Sequence, residues 1–153
     1  MTGPMSATLW LELHGCRDAN LFVGVEKWRD GHYVPFEGSF GYGRDRVATG
    51  LARLALRHLD PLSSRPWQPV PTCSDEQPLR PGEVVEVDVA LGPSATLFRA
   101  GEQLRLVVAG RPLAPRNPLF GSFPSNYAAS SRGQATLHWS ADHPAHLLIP
   151  ALV

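Results

Sequence analysis

Glycine and proline punctuate this chain so evenly that no stretch free of both exceeds ten residues, and that spacing limits the fold more than any other feature. The longest clear runs, Met5 to His14, Leu51 to Asp60 and Gln134 to His143, are each the length of a single strand. Ten residues in a helix would make only about 2.8 turns, so long helices are excluded and so are folds that depend on them. The 14 glycines and 15 prolines stay below the share at which composition alone points to disorder. With 43% hydrophobic residues among 153, the chain has the apolar content of one packed domain, read here as a single unit over residues 1–153.

Within those limits the local signal is alternation. In Glu83 to Leu91, Val85, Val87, Val89 and Leu91 fall on one face and Glu86 and Asp88 on the other, as a half-buried strand requires. Gln103 to Ala109 repeats the device, with Leu104, Leu106 and Val108 inward and Arg105 outward. Leu9, Leu11 and Leu13 alternate with Trp10, Glu12 and His14, and Leu21, Val23 and Val25 with Phe22, Gly24 and Glu26. Asp30-Gly31 between strand-like runs predicts a hairpin joining Leu21–Trp28 to His32–Phe36. Further strands are expected at Thr96–Arg99, Gln134–Trp139 and Ala145–Ile149. Val47–Leu56 has a composition that favours helix, but Gly50 interrupts it and its leucines fit neither period, so we read it as a strand.

Two stretches read as loops. Asp60 to Gly82 holds six prolines, cannot donate regularly to a sheet ladder and must cross a surface in extended form. Gly110 to Gly133 holds four more, with Phe120, Phe123 and Tyr127 among them, and aromatic side chains on a loop need something to cover them. Eight or nine short strands with one long crossover and one long aromatic loop imply an all-β fold: two packed antiparallel sheets, a β-sandwich of Greek-key or jelly-roll type.

Charge and targeting exclude several classes. Lys and Arg total 14, as do Asp and Glu, so no net basic field is available to hold nucleic acid, and the arginines are scattered singly. Cys16 and Cys73 could form at most one bridge, well short of a secreted disulfide scaffold, and read as free thiols. No cationic start precedes an apolar run and no segment approaches the ~20 apolar residues of a membrane span, which favours a cytoplasmic protein with no membrane partner.

Chemical motifs are sparse. A serine hydrolase on an α/β sheet needs Gly-x-Ser-x-Gly between strand and helix; Gly38-Ser39 and Gly121-Ser122 lack the intervening residue and no run long enough for the helix follows. Cys16 has only Arg17 beside it to lower its pKa and reads as a small residue at a strand end. His138, Asp142, His143 and His146 are the one metal-like grouping, but Pro144 interrupts the helical spacing, so a turn with His146 opening the last strand is the better reading. Trp10, Trp28, Trp67 and Trp139 could form a stacking face for sugars, although each sits beside a strand-like run where packing explains it. No cofactor or metal is indicated.

Taken in order, the strands and loops resemble the C-terminal non-catalytic domain of the X-Pro dipeptidyl-peptidase and cocaine-esterase family, the CocE/NonD hydrolases. The resemblance rests on Thr2-Gly-Pro4 leading into Leu9–Leu13, Asp18–Val23, Leu59-Asp-Pro61 and Pro66–Pro69. It continues through Leu79–Val84, Leu91–Gly101 with Leu104–Leu106, and His143–Pro150. It departs from the pattern at Glu102-Gln103, where a His-Arg pair is common, and in the loop from Gly110 to Gly133. The resemblance implies a jelly-roll, galactose-binding-like sandwich that packs against an α/β-hydrolase domain carrying a Ser-Asp-His triad. On that reading this chain is not itself an enzyme, and its partner is that catalytic domain. Trp67, Phe120, Phe123 and Tyr127 are the expected interdomain residues, and an uncovered face of this kind implies weak self-association. The alternative is a freestanding module that binds a carbohydrate or another ligand, for which exposed aromatics would line up on one sheet face.

Overall fold

The computed structural model describes residues 1–37, 44–113 and 133–151. These form an antiparallel β-sandwich, and no α-helix occurs among them. The first sheet is centred on β1 (Thr2–His14), which pairs along one edge with β7 (Val84–Ala95). Along its other edge lie two short strands end to end, β9 (Gln134–His138) opposite Trp10–His14 and β10 (His146–Leu148) opposite Ser6–Thr8. The second sheet is built the same way around β2 (Asn20–Arg29). It has β8 (Gln103–Ala109) on one edge, and β6 (Ala48–Arg53) and β3 (His32–Val34) in tandem on the other. A two-residue ribbon pairs β4 (Phe36–Glu37) with β5 (Arg44–Asp45).

The alternation read from the sequence sets the core. Met5, Ala7, Leu9, Leu11 and Leu13 of β1 and Val85, Val87, Val89 and Leu91 of β7 face Leu21, Val23 and Val25 of β2 in one buried cluster. Period two puts each set on the inner face of its sheet, where it is removed from water at roughly 25 cal/mol per Å². The Asp30-Gly31 hairpin is present, both residues with positive φ (50° and 76°), the geometry of a type I′ turn.

Three elements differ from the expectation. The segment Val47–Leu56 is a strand only to Arg53; Leu54–Leu56 then close into a 3₁₀ turn that buries Leu54 and Ala55, which explains leucines that fit neither period. No strand forms at Thr96–Arg99, because its polar groups are taken elsewhere: the Thr96 amide donates to the Met1 carbonyl and Leu97 O accepts from Lys27 Nζ. Conversely β7 runs past Leu91 through Gly92-Pro93, and a register shift between Gly3 and Met5 of β1 absorbs the extra residue.

The two sheets touch along one side. Gly50 of β6 lies against β7 so closely that a Cβ there would stand 2.1 Å from the Ala90 carbonyl oxygen. Glycine at the middle of this strand is therefore a condition of the β6–β7 approach. On the opposite side the burial falls off along β8 and β9: Leu137, in register with the buried Leu11, is 45% exposed, and Leu106, in register with the buried Val25, is 37% exposed.

Candidate functional site

The outer face of the first sheet carries most of the polar residues that could act together. Ser6 and Thr8 point outward by alternation, yet both are buried, because the proline-rich crossover from Asp60 to Gly82 lies over them. As the sequence requires, the crossover runs in extended pieces pinned at intervals. Asp60 caps its first turn, and the Ser63 hydroxyl and the Leu62 amide hold its carboxyl below the usual range. Leu59 bridges Pro71, and Arg65 bridges Gln68 with Pro66-Trp67 at the tip. The Ser6 hydroxyl donates to Pro66 O at 2.6 Å. Further along, the Leu79 amide donates to Arg17 O at 2.7 Å and the Leu79 side chain is buried.

Between the crossover and the sheet is a hollow of about 440 Å³. Its floor is one row across three neighbouring strands, Asp88 of β7, Thr8 of β1 and His146 of β10, held in register by the pairings Thr8 to Asp88 and Thr8 to His146. The Thr8 hydroxyl donates to Asp88 Oδ1. His146 Nδ1 lies 3.2 Å from Pro144 O, and since a carbonyl only accepts, the ring proton sits on Nδ1 and leaves Nε2 as an acceptor in the neutral ring. Arg65 and Pro66 of the crossover form the wall.

Further along the same face, Glu12 lies between two histidines, with His138 Nε2 at 3.0 Å and His14 Nδ1 at 3.8 Å. His143 meets Trp10 edge to face at 5.0 Å, and Trp10 Nε1 beneath it is buried with no hydrogen-bond partner. The sequence grouping of His138, Asp142, His143 and His146 is not drawn into one ligand set. His138 and His143 are neighbours at 5.5 Å, Ser140 to His143 is a tight turn, and His146 opens β10, as the turn reading expected. No group of three or more His, Cys, Asp or Glu suited to a metal ion occurs among the described residues.

The described residues place no serine in a triad, although Thr136 Oγ1 lies 2.8 Å from His14 Nε2 on the exposed face, with Glu12 3.8 Å from Nδ1 of the same ring. The one serine bonded to a histidine is Ser140, 3.3 Å from His143 Nδ1, inside an exposed turn where no carboxylate contacts the imidazole. Cys16 and Cys73 are free thiols. Cys16 lines a second cavity of about 360 Å³ among Leu13, Leu21, Leu54, Val108 and Leu137.

The charged groups of the second sheet serve packing. Glu26 accepts from Arg46 Nε at 2.9 Å and from Trp28 Nε1 at 2.8 Å, and Arg105 stacks on the Trp28 ring at 3.9 Å. Glu102, the departure noted from the family pattern, has a side chain only 2% exposed and binds Lys27 Nζ at 2.7 Å as well as Arg29. Bonds from Lys27, the Arg99 amide and Arg29 bring its pKa down to about 2. No local pattern signals this role, since Lys27 and Glu102 are far apart in the chain.

Among the described residues the aromatic side chains form no extended row on a sheet; Trp28 and Tyr33 are cross-strand neighbours with ring centroids 6.2 Å apart. Trp67, at the tip of the crossover, is 47% exposed, and Trp139, just past β9, is 83% exposed. Trp10 and Trp28 are engaged on opposite sheets. Phe120, Phe123 and Tyr127 lie outside the described residues.

Comparison with known proteins agrees with the resemblance read from the sequence. The family model of the X-Pro dipeptidyl-peptidase C-terminal non-catalytic domain matches residues 1–148. Two crystal structures of a CocE/NonD family hydrolase from Staphylococcus aureus are similar to this chain. One is 36% identical with a TM-score of 0.69, over 72% of this chain and 20% of that one. The other is 30% identical with a TM-score of 0.84, over 96% of this chain and 27% of that one. This chain therefore spans about a quarter of the length of the hydrolase it matches. No curated protein matches it at a significant level.

Proposed function

The chain belongs to the family of X-Pro dipeptidyl-peptidase C-terminal non-catalytic domains, and from that premise we propose that it is the jelly-roll domain that buttresses the α/β-hydrolase catalytic domain of a serine hydrolase and helps wall its substrate cleft. The observation that carries the reading is the share of the relative left over: the sandwich accounts for 27% of the Staphylococcus aureus hydrolase even where it matches 96% of this chain. Acyl or peptide hydrolysis then belongs to the remainder, which would hold the triad.

The placement of tryptophan favours this over a freestanding sugar-binding module. Stacking of a carbohydrate needs aromatic faces in a row on rigid strands, whereas the two exposed tryptophans, Trp67 and Trp139, stand on connecting segments. Apolar side chains on loops suit contact with a neighbouring domain, and a contact of about 700 Å² per side is ordinary between domains. Trp67 is the described member of the proposed interdomain set; Phe120, Phe123 and Tyr127 complete it.

The purified chain is expected to show no esterase or dipeptidase activity. Saturable turnover of a p-nitrophenyl ester or an X-Pro-p-nitroanilide that survives repeated purification would refute the reading. Weak self-association at high concentration is expected by sedimentation, relieved by Trp67→Ser; a sharp monomer throughout would count against Trp67 as an interdomain residue.

A further inference from the structure

We propose that the hollow over the outer face of the first sheet binds a small zwitterion, an amino acid or dipeptide with a free ammonium and a free carboxylate. The inference goes beyond the buttress reading and does not depend on it. What carries it is a pair of opposite charges, the half-buried Asp88 and the exposed Arg65, that line one cavity without pairing with each other. Asp88 accepts the Thr8 hydroxyl at Oδ1, and its Oδ2 has no partner among the described residues. Arg65 spends Nη1 on the Leu62 and Ser64 carbonyls, and its Nε and Nη2 have none. Neither forms a salt bridge with any charged group, although both face the same volume of about 440 Å³.

The two charges are held apart by construction. Asp88 belongs to the sheet floor, fixed by its pairing with Thr8, and Arg65 belongs to the wall, fixed by its bridge to Gln68 and by the Ser6 bond to Pro66 next to it. A ligand whose own backbone separates an ammonium from a carboxylate satisfies both at once. His146 Nε2 on the same floor is a second acceptor for the ammonium, and the Thr8 hydroxyl, already donating to Asp88, is free to accept. The volume falls in the ordinary range for small-ligand pockets, roughly 300–1,000 Å³, and holds a dipeptide. Pro66 and Leu148 supply apolar surface for its side chains.

The test is a titration of the 153-residue chain followed by amide NMR, with four probes of one sequence that differ in their end groups: Ala-Ala, N-acetyl-Ala-Ala, Ala-Ala-amide and N-acetyl-Ala-Ala-amide. Ala-Ala is expected to give saturable shifts at Thr8, Arg65, Asp88 and His146. Each singly capped probe should bind about tenfold more weakly, the loss expected for one charge-assisted hydrogen bond, and the doubly capped one should give no saturable shift. In Asp88→Asn the penalty for capping the amine should vanish, and in Arg65→Gln the penalty for capping the acid. Absence of saturable shifts with Ala-Ala at tens of millimolar, or equal binding of all four probes, would overturn the proposal. Should either variant fail to fold, the four probes on the unaltered protein still decide it.

Discussion

Replacing Gly50 with alanine sets two physical effects against each other, and the structure fixes which wins. In the middle of a strand, alanine should gain about 0.5–1 kcal/mol over glycine by restricting the unfolded chain. The backbone of Gly50 is not in the left-handed region, so no strain in φ opposes the change. The new Cβ, however, would meet the Ala90 carbonyl oxygen at 2.1 Å, the Ala90 carbonyl carbon at 3.1 Å and Leu91 Cδ2 at 2.9 Å. The first two are backbone of β7, paired on its other edge with β1, and cannot turn aside as a flexible side chain would. Restoring an ordinary contact moves β6 from β7 by about 1 Å, along the one side where the sheets meet, and overpacking of this kind typically costs about 1–3 kcal/mol. We expect Gly50→Ala to lose about 1 kcal/mol net, read as a lower urea midpoint at unchanged m-value. At about 2–4 °C per kcal/mol for a chain of this size, the melting temperature falls by roughly 2–4 °C. A Gly50→Ala protein as stable as the parent would refute the close approach of β6 and β7.

Two other perturbations test parts of the same framework. Because the folded-state pKa of Glu102 is depressed to about 2 from an ordinary 4.5, the stability it confers is complete above pH 4.5 and drains away as pH falls toward 2. Glu102→Gln should be less stable than the parent at neutral pH, with the gap closing through that window in urea melts; a gap independent of pH would dismiss the carboxylate as the cause. Leu79→Ala removes a side chain only 1% exposed that ties the end of the crossover to the core, and should cost about 2–5 kcal/mol. Limited proteolysis should then open the chain between Leu59 and Gly82 first, and first cleavage elsewhere would contradict that anchoring.

What the sequence disclosed and what it concealed divide along a physical line. Period-two alternation is local, so Val85–Leu91 and Leu9–Leu13 declared both their strands and their buried faces, and Asp30-Gly31 declared its hairpin. Partnerships across the chain leave no local trace. That β9 and β10 share one edge of β1 end to end, or that Ser6 and Thr8 are buried on the outer face, depends on where the crossover comes to rest. Gly50 read as an interruption, and its meaning lies in Ala90, a residue 40 positions away. Glu102 read as a departure from the family pattern, and only its bonds to Lys27 and Arg29 turn it into a structural anchor. The candidate hollow was invisible for the same reason, since Arg65, Asp88 and His146 meet only when the crossover is laid over the sheet.

The use made of carboxylates bears on why catalysis would belong to another domain. A general acid or base needs a proton-accepting oxygen left free and an environment that tunes it toward neutral pH. Here three carboxylates are committed to cations and N–H donors: Glu26 to Arg46 and Trp28, Glu102 to Lys27 and Arg29, and Asp18 to Arg53 and the amides of Ala19 and Ala55, whereas Glu12 faces His138 and His14. Pairing of this kind pulls the Glu102 carboxyl away from neutrality, toward permanent ionisation, which suits an anchor and disqualifies a proton shuttle. Asp88, with one oxygen occupied by Thr8 and the other open to a hollow, differs from all three. Its position over a three-strand floor, opposite a guanidinium it does not reach, is that of a recognition group in the proposed zwitterion site.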